Sequence, residues 1–158
     1  NQTAKIEIKM RTLAGEKPFR KYIYNPADVP FNYFGDLQDP CGTIDLKKSS
    51  LTDVVPPQSM VVYTTNYDNE SPAPVSGFSF ERKKIDNRDR AVLTWDHNTE
   101  NDFCYYRIYR SEKPDVDISP RRQIASTISN QYVDISVHNM PEYYYRVVAV
   151  DQSGNSSQ

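Results

Sequence analysis

Apolar and polar residues alternate in short stretches along this chain, most sharply in its C-terminal half. Arg90-Ala-Val-Leu-Thr-Trp-Asp96 puts Ala91, Leu93 and Trp95 on one face. Cys104-Tyr-Tyr-Arg-Ile-Tyr-Arg110 puts Cys104, Tyr106 and Ile108 together, and Tyr143-Tyr-Tyr-Arg-Val-Val-Ala-Val150 groups Tyr143, Tyr145, Val147 and Ala149. Successive side chains of a strand point to opposite faces, so this period of two predicts strands with one buried face. Weaker alternation predicts strands over Val75–Glu81, Gln123–Thr127 and Tyr132–Ser136, with a short last one after Gly154. Turn formers at Asp96–Asp102, Ser111–Pro120 and His138–Pro141 separate them. Seven short strands in about 85 residues predict a two-sheet antiparallel sandwich.

The N-terminal part is strand-like too, but thinner. Lys5-Ile-Glu-Ile-Lys-Met10 alternates cleanly, and Lys21–Tyr24, Thr43–Leu46 and Ser59–Thr64 are further candidates. Four strands, two of them short, can hardly form two packed sheets, and so small a unit buries little surface. Ile6, Ile8 and Met10, with Val61 and Tyr63, are therefore expected to form an apolar face that residues 1–66 leave uncovered. Such a face is expected to dock onto other protein. Tyr67-Asp-Asn-Glu-Ser-Pro-Ala-Pro74 carries polar residues and two prolines, which resist sheet and helix alike. The predicted organisation is a partial sandwich over 1–66, a linker over 67–73 and a complete sandwich over 74–158.

Composition agrees with sheet. Of 158 residues, 32 are Ile, Val or Thr, stiff at the first side-chain torsion, against 12 Leu or Ala. Leu, Ile, Val and Phe make up 34 of the 158, just above the level of about 20% below which chains tend to stay disordered. A net charge of −2 and 12 Tyr add to the case for order. No apolar run approaches the roughly 20 residues that span a bilayer, so no membrane span is expected. Interspersed charge gives no basic stripe, and nucleic acid is not an expected partner. Two Cys cannot make a disulfide scaffold. No signal or transit sequence is visible, and the abrupt strand-like opening suggests a mature fragment of something longer.

Leu93-Thr-Trp95, Tyr106-Arg-Ile-Tyr-Arg-Ser111 and Tyr143-Tyr-Tyr-Arg-Val-Val-Ala-Val-Asp151 with Gly154-Asn-Ser156 together resemble a fibronectin type III domain over most of residues 74–157. The resemblance implies an immunoglobulin-like sandwich whose core positions are Trp95, Tyr106, Ile108, Tyr143 and Val147. Tyr22-Ile-Tyr-Asn-Pro26, followed by Asp53-Val-Val-Pro-Pro-Gln-Ser-Met-Val-Val-Tyr63, resembles the closing strands of the β-sandwich beside the catalytic barrel of glycoside hydrolases. The resemblance is to family 39, with its β-xylosidases and α-L-iduronidases. In its iduronidase-like members a fibronectin type III domain follows that sandwich. The match contains neither the barrel nor the family's two catalytic glutamates.

Candidate chemistry is sparse. His97 and His138 fall in predicted loops with no nucleophile motif nearby, and a catalytic base needs an orienting partner. Cys41, His97, Cys104 and His138 lack the short paired spacings of a zinc site. Cys104 is expected as a buried thiol, with a disulfide to Cys41 as the alternative. Glu100 and Asp102 share a loop, as do Asp115 and Asp117, and glycosidases use paired carboxylates. Neither pair sits in sequence that would desolvate one member as a general acid requires, and Asp115-Val-Asp117 lacks the graded ligands of a calcium loop. Tyr105, Tyr109 and Tyr144 are expected to point outward, either stacking on sugar rings or covering neighbouring strands. Asn1-Gln-Thr3, Asn69-Glu-Ser71 and Asn155-Ser-Ser157 read as glycosylation sequons.

These readings converge on a non-catalytic C-terminal accessory region of a secreted glycoside hydrolase. No catalytic residue, metal or cofactor is expected in it. Its expected partners are the rest of the parent enzyme and carbohydrate, in a secreted, periplasmic, lysosomal or cell-surface setting. A cell-surface adhesion module of fibronectin type and a free carbohydrate-binding module are the alternatives, since such sandwiches carry many functions.

Overall fold

A chain rich in β-branched residues and poor in helix formers has strands as its cheapest way to satisfy the backbone. The computed structural model describes residues 2–10, 17–31, 33–46, 49–137 and 142–157; the turn expected at 138–141 lies outside them. Among the described residues there are eleven strands and no helix: β1 (Ala4–Lys9), β2 (Phe19–Tyr24), β3 (Gly42–Ile44), β4 (Ser50–Val55), β5 (Met60–Thr64), β6 (Ser79–Ile85), β7 (Arg88–Thr94), β8 (Phe103–Ser111), β9 (Gln123–Thr127), β10 (Gln131–Asp134) and β11 (Tyr144–Asp151). All pair antiparallel, and the fold is an all-β sandwich. The chain divides into two compact units, Asn1–Tyr67 and Asp68–Gln158.

In the C-terminal unit the sheets run β10-β7-β6 and β11-β8-β9. Leu93, Trp95, Tyr106, Ile108 and Ala149 form the buried cluster between them, with Tyr132, Tyr145 and Val147 packed against it. Trp95 and Tyr106 meet edge to face with ring centroids 5.2 Å apart. Tyr143 differs from its expected core place. It precedes β11, and its ring lies 4.6 Å from the Arg110 guanidinium; Tyr145, Val147 and Ala149, expected on the same face, do pack in the core.

A polar knot crosses the same interior. Asp134, 1% exposed, pairs with Arg110 at 2.6 Å and accepts hydrogen bonds from Ser136 and from the Tyr145 hydroxyl at 3.0 Å. Because buried carboxylates are costly unless paired, this knot fixes β8, β10 and β11 in one register. The edge strand β6 is exposed along its whole length. It joins β7 through Asp86 and Asn87, both at positive φ (51° and 59°), as a two-residue hairpin turn requires.

Residues 68–73 are not a free spacer. Asp68 N–H donates to Ser153 Oγ at 3.0 Å, and Asn155 Nδ2 donates to the Glu70 carbonyl at 3.1 Å. Ala73 N–H donates to Glu100 Oε1 at 2.7 Å. Tyr67, by contrast, belongs to the first unit, where its hydroxyl donates to the Pro18 carbonyl at 2.7 Å and Arg20 stacks on its ring at 4.0 Å.

The N-terminal unit holds a β1-β4 ribbon and a β3-β2-β5 sheet. Ile6 and Ile8 therefore lie on a different sheet from Val61 and Tyr63, rather than on one shared face. Ile8 is 37% exposed, while Ile6, Met10, Val61 and Tyr63 are half-buried. Lys21 and Tyr63, cross-strand partners on β2 and β5, both reach Asp53 of β4, at 2.5 and 2.6 Å. A polar tie thus joins the two sheets.

Candidate functional site

Of the three tyrosines expected outward, the structure keeps two at the surface. Tyr105 and Tyr144 are half-buried, but Tyr109 is only 2% exposed and offers no face to a sugar. The connection between β8 and β9 folds back over it, and Val116 packs on Tyr109, Val148 and Tyr144. Strand alternation gives the face of a residue but not what covers that face. Tyr105 stands opposite Val150 and Tyr144 opposite Ser111. Six rungs of about 3.3 Å separate them, so they form no single platform. Arg107 lies over the Tyr105 ring at 5.6 Å and donates to its hydroxyl at 2.9 Å.

Cys104, expected inside, is exposed, as is Cys41. The β8-β11 register steps from Tyr105↔Val150 to Phe103↔Asp151, which leaves Cys104 as the extra residue of a bulge. A bulge reverses the side-chain phase, and Phe103 takes the inward place. His97 is exposed, with Nδ1 3.2 Å from the Tyr106 hydroxyl; His138 is outside the described residues.

The Glu100 carboxylate sits below its ordinary value. Its own backbone N–H and that of Ala73 donate to it, and Asn98 adds a further donor, against the opposing effect of burial. A general acid needs the reverse shift, so Glu100 is built as an anion that ties a loop. Asp117, on an exposed turn, is lowered by Ser119 first and by Arg122, which lies 3.4 Å away.

Asp102 enters a different grouping. Among the described residues, Asp68, Asp102 and Asp151 bring carboxylate oxygens within 4.8 Å of one another. Such hard oxygen donors suit calcium or magnesium. Their centre is supplied with donors by the chain itself: Asn155 Nδ2 lies 2.8 Å from both Asp68 Oδ1 and Asp151 Oδ2. Asp151 Oδ1 also accepts the backbone N–H groups of Ser153 and Asn155, each at 2.8 Å. The amide and these N–H groups offset the charge that a cation would otherwise neutralise.

A cavity on the N-terminal unit has no counterpart in the strand pattern. It measures about 170 Å³ and includes Asn25, Asp28, Gln38 and Asp39 in its wall. The density of Asn, Asp, Gln and exposed aromatics between residues 24 and 39 was the signal available.

The chain matches no protein-family model. Over 73 residues, 44% of its length, it is 44% identical to an amylopullulanase of Thermoanaerobacterium thermosulfurigenes, and equally to one of Thermoanaerobacterium saccharolyticum. These relatives are glycoside hydrolases. The matches span 4% and 5% of those proteins. Among solved structures, the bacterial orthologue of human α-L-iduronidase aligns with a TM-score of 0.43 at 22% identity, over 74% of this chain and 18% of that one.

Proposed function

We propose that this chain is a non-catalytic accessory region of a secreted glycoside hydrolase. Its C-terminal unit serves as a fibronectin type III-like module. Its N-terminal unit serves as part of the sandwich that braces the catalytic domain, and the rest of the parent enzyme is its partner. The observation that carries this reading is the 44% identity over 73 residues to a small part of much longer amylopullulanases. Tyr105 and Tyr144 remain the rings through which the C-terminal unit would touch carbohydrate, each as a separate contact.

The test is an assay of the chain with nitrophenyl glycosides of glucose, xylose and iduronic acid. No turnover above the uncatalysed background is expected. Turnover that disappears in Glu100→Gln or Asp102→Asn would place catalysis in this chain and overturn the accessory reading.

A further inference from the structure

We infer that the cavity on the N-terminal unit, bounded by Asn25, Asp28, Gln38 and Asp39, is a binding subsite for a neutral pyranose sugar. This goes beyond the accessory reading, which puts sugar contact on the other unit. At about 170 Å³ the cavity is smaller than pockets for drug-sized ligands, which start near 300 Å³, and it suits a single ring.

The walls are fixed before any ligand arrives. Asn25 Oδ1 accepts the backbone N–H groups of Ala27 and Asp28, at 2.9 and 2.8 Å. Asn25 and Asp28 also exchange backbone hydrogen bonds at 3.2 Å. Gln38 donates twice to the segment beside it, from its N–H to the Pro30 carbonyl at 2.9 Å and from Nε2 to the Phe31 carbonyl at 3.0 Å. Cys41 N–H is held by the Lys21 carbonyl at 2.9 Å. Side chains held this way lose little further freedom on binding.

The chemistry of the wall selects the ligand. Two carboxylates and two primary amides line the cavity, and among the described residues no Lys or Arg lines it. The nearby Lys21 ammonium is committed to Asp53. Carboxylate oxygens accept from hydroxyl groups, of which a neutral sugar has several, and they repel uronate or sulfate groups. Two exposed apolar residues adjoin lining residues of the cavity: Val29, between Asp28 and Pro30, is 53% exposed, and Phe31, whose carbonyl accepts from Gln38 Nε2, is 40% exposed. Phe31 rests against Tyr24 at 5.9 Å between ring centroids and is still 40% exposed. A pyranose has a polar rim and an apolar C–H face, and it needs both kinds of surface at once. Here both occur within fifteen residues, Asn25–Asp39.

The experiment is a ¹H–¹⁵N titration of the whole 158-residue chain with maltoheptaose, xylohexaose and a galacturonate hexamer. The expected result is a shift of the Asn25 and Gln38 side-chain amide signals with at least one neutral oligosaccharide, and a weaker response to the galacturonate. Asp39→Asn and Phe31→Ala, both at exposed positions, should each weaken binding about tenfold with the rest of the spectrum unchanged. Asp28→Asn is the second carboxylate variant should Asp39→Asn disturb the fold. Shifts confined to Tyr105 and Tyr144 would overturn this inference and leave the accessory reading standing. A response to Ca²⁺ but to no sugar would overturn it too, as would no response to any oligosaccharide at millimolar concentration.

Discussion

The two units use the same element and close it differently. In the C-terminal unit a three-stranded sheet faces another, and both inner faces come from the unit itself. Twelve apolar residues are buried there among the described ones, from Ala91 to Val150. The N-terminal unit sets a two-stranded ribbon and a sheet whose third strand has three residues; among its described residues Phe19, Tyr22 and Leu51 are the buried apolar ones. Its remaining apolar side chains stay partly outside, with Val54 52%, Met60 58% and Val62 37% exposed. Beside that small buried set, the Lys21–Asp53–Tyr63 tie joins its sheets by an ion pair and a hydrogen bond. Burial scales with the faces available, so a thin unit must rely on polar ties or on neighbours.

Mutations can break this contrast, and the largest effect is expected at the C-terminal core. Trp95→Ala should cost the second unit about 3–5 kcal/mol, because it removes a buried indole and leaves a cavity. In urea melts followed by residue-specific NMR, a loss under about 1 kcal/mol would mean that the core does not rest on Trp95. Next comes Asp134→Asn, expected to cost about 3 kcal/mol by leaving Arg110 without its counter-charge.

That second substitution also has a pH signature. Burial pushes the Asp134 carboxyl up, but Ser136 and Arg110 outweigh it and hold the group below its ordinary value of 3.8. A carboxyl depressed in the folded state stabilises fully above the unfolded value, and the contribution fades as pH falls towards the folded one. Wild-type protein should therefore lose stability below about pH 4, and Asp134→Asn should lose less of it over the same range. A smaller effect is expected in the first unit. Asp53→Asn should cost about 1.5 kcal/mol, since the pair keeps some contact with water, which can take the place of the lost charge, whereas Asp134 is almost fully enclosed. Equality of the Asp53 and Asp134 effects would erase the contrast between the units. Least of all, Asp115→Ala on an exposed turn should stay within about 0.5 kcal/mol.

Strands β7, β8, β9 and β11 were legible because each alternates or is rich in β-branched residues. β4 was not. Asp53 holds an inward position in Ser50–Val55, and a charged residue facing in looks like a break in the pattern until its partners Lys21 and Tyr63 are seen. β6 was placed four residues too early, because an edge strand with no buried face needs no apolar period. Its turn is Asp86-Asn87 rather than a glycine pair, so the hairpin signal was weak. Cys104 was misplaced by one bulge, and Tyr109 by a loop whose path over the sheet leaves no trace in strand periodicity. The cavity wall comes from residues spread between Tyr22 and Pro56, and proximity across such spacings is a property of the fold alone.

The bare edge of β6 has a consequence for how copies of this chain behave at high concentration. An open row of backbone donors and acceptors is a template on which a foreign strand can grow, and the growth does not terminate. Along this edge the chain places Glu81, Arg82, Lys83 and Lys84 in succession. An incoming strand would have to strip water from that run of charge, so recruitment fails at the first step. The charges add little to the sheet's own cohesion. Their effect is colloidal: they keep a module with an unfinished border from polymerising through it.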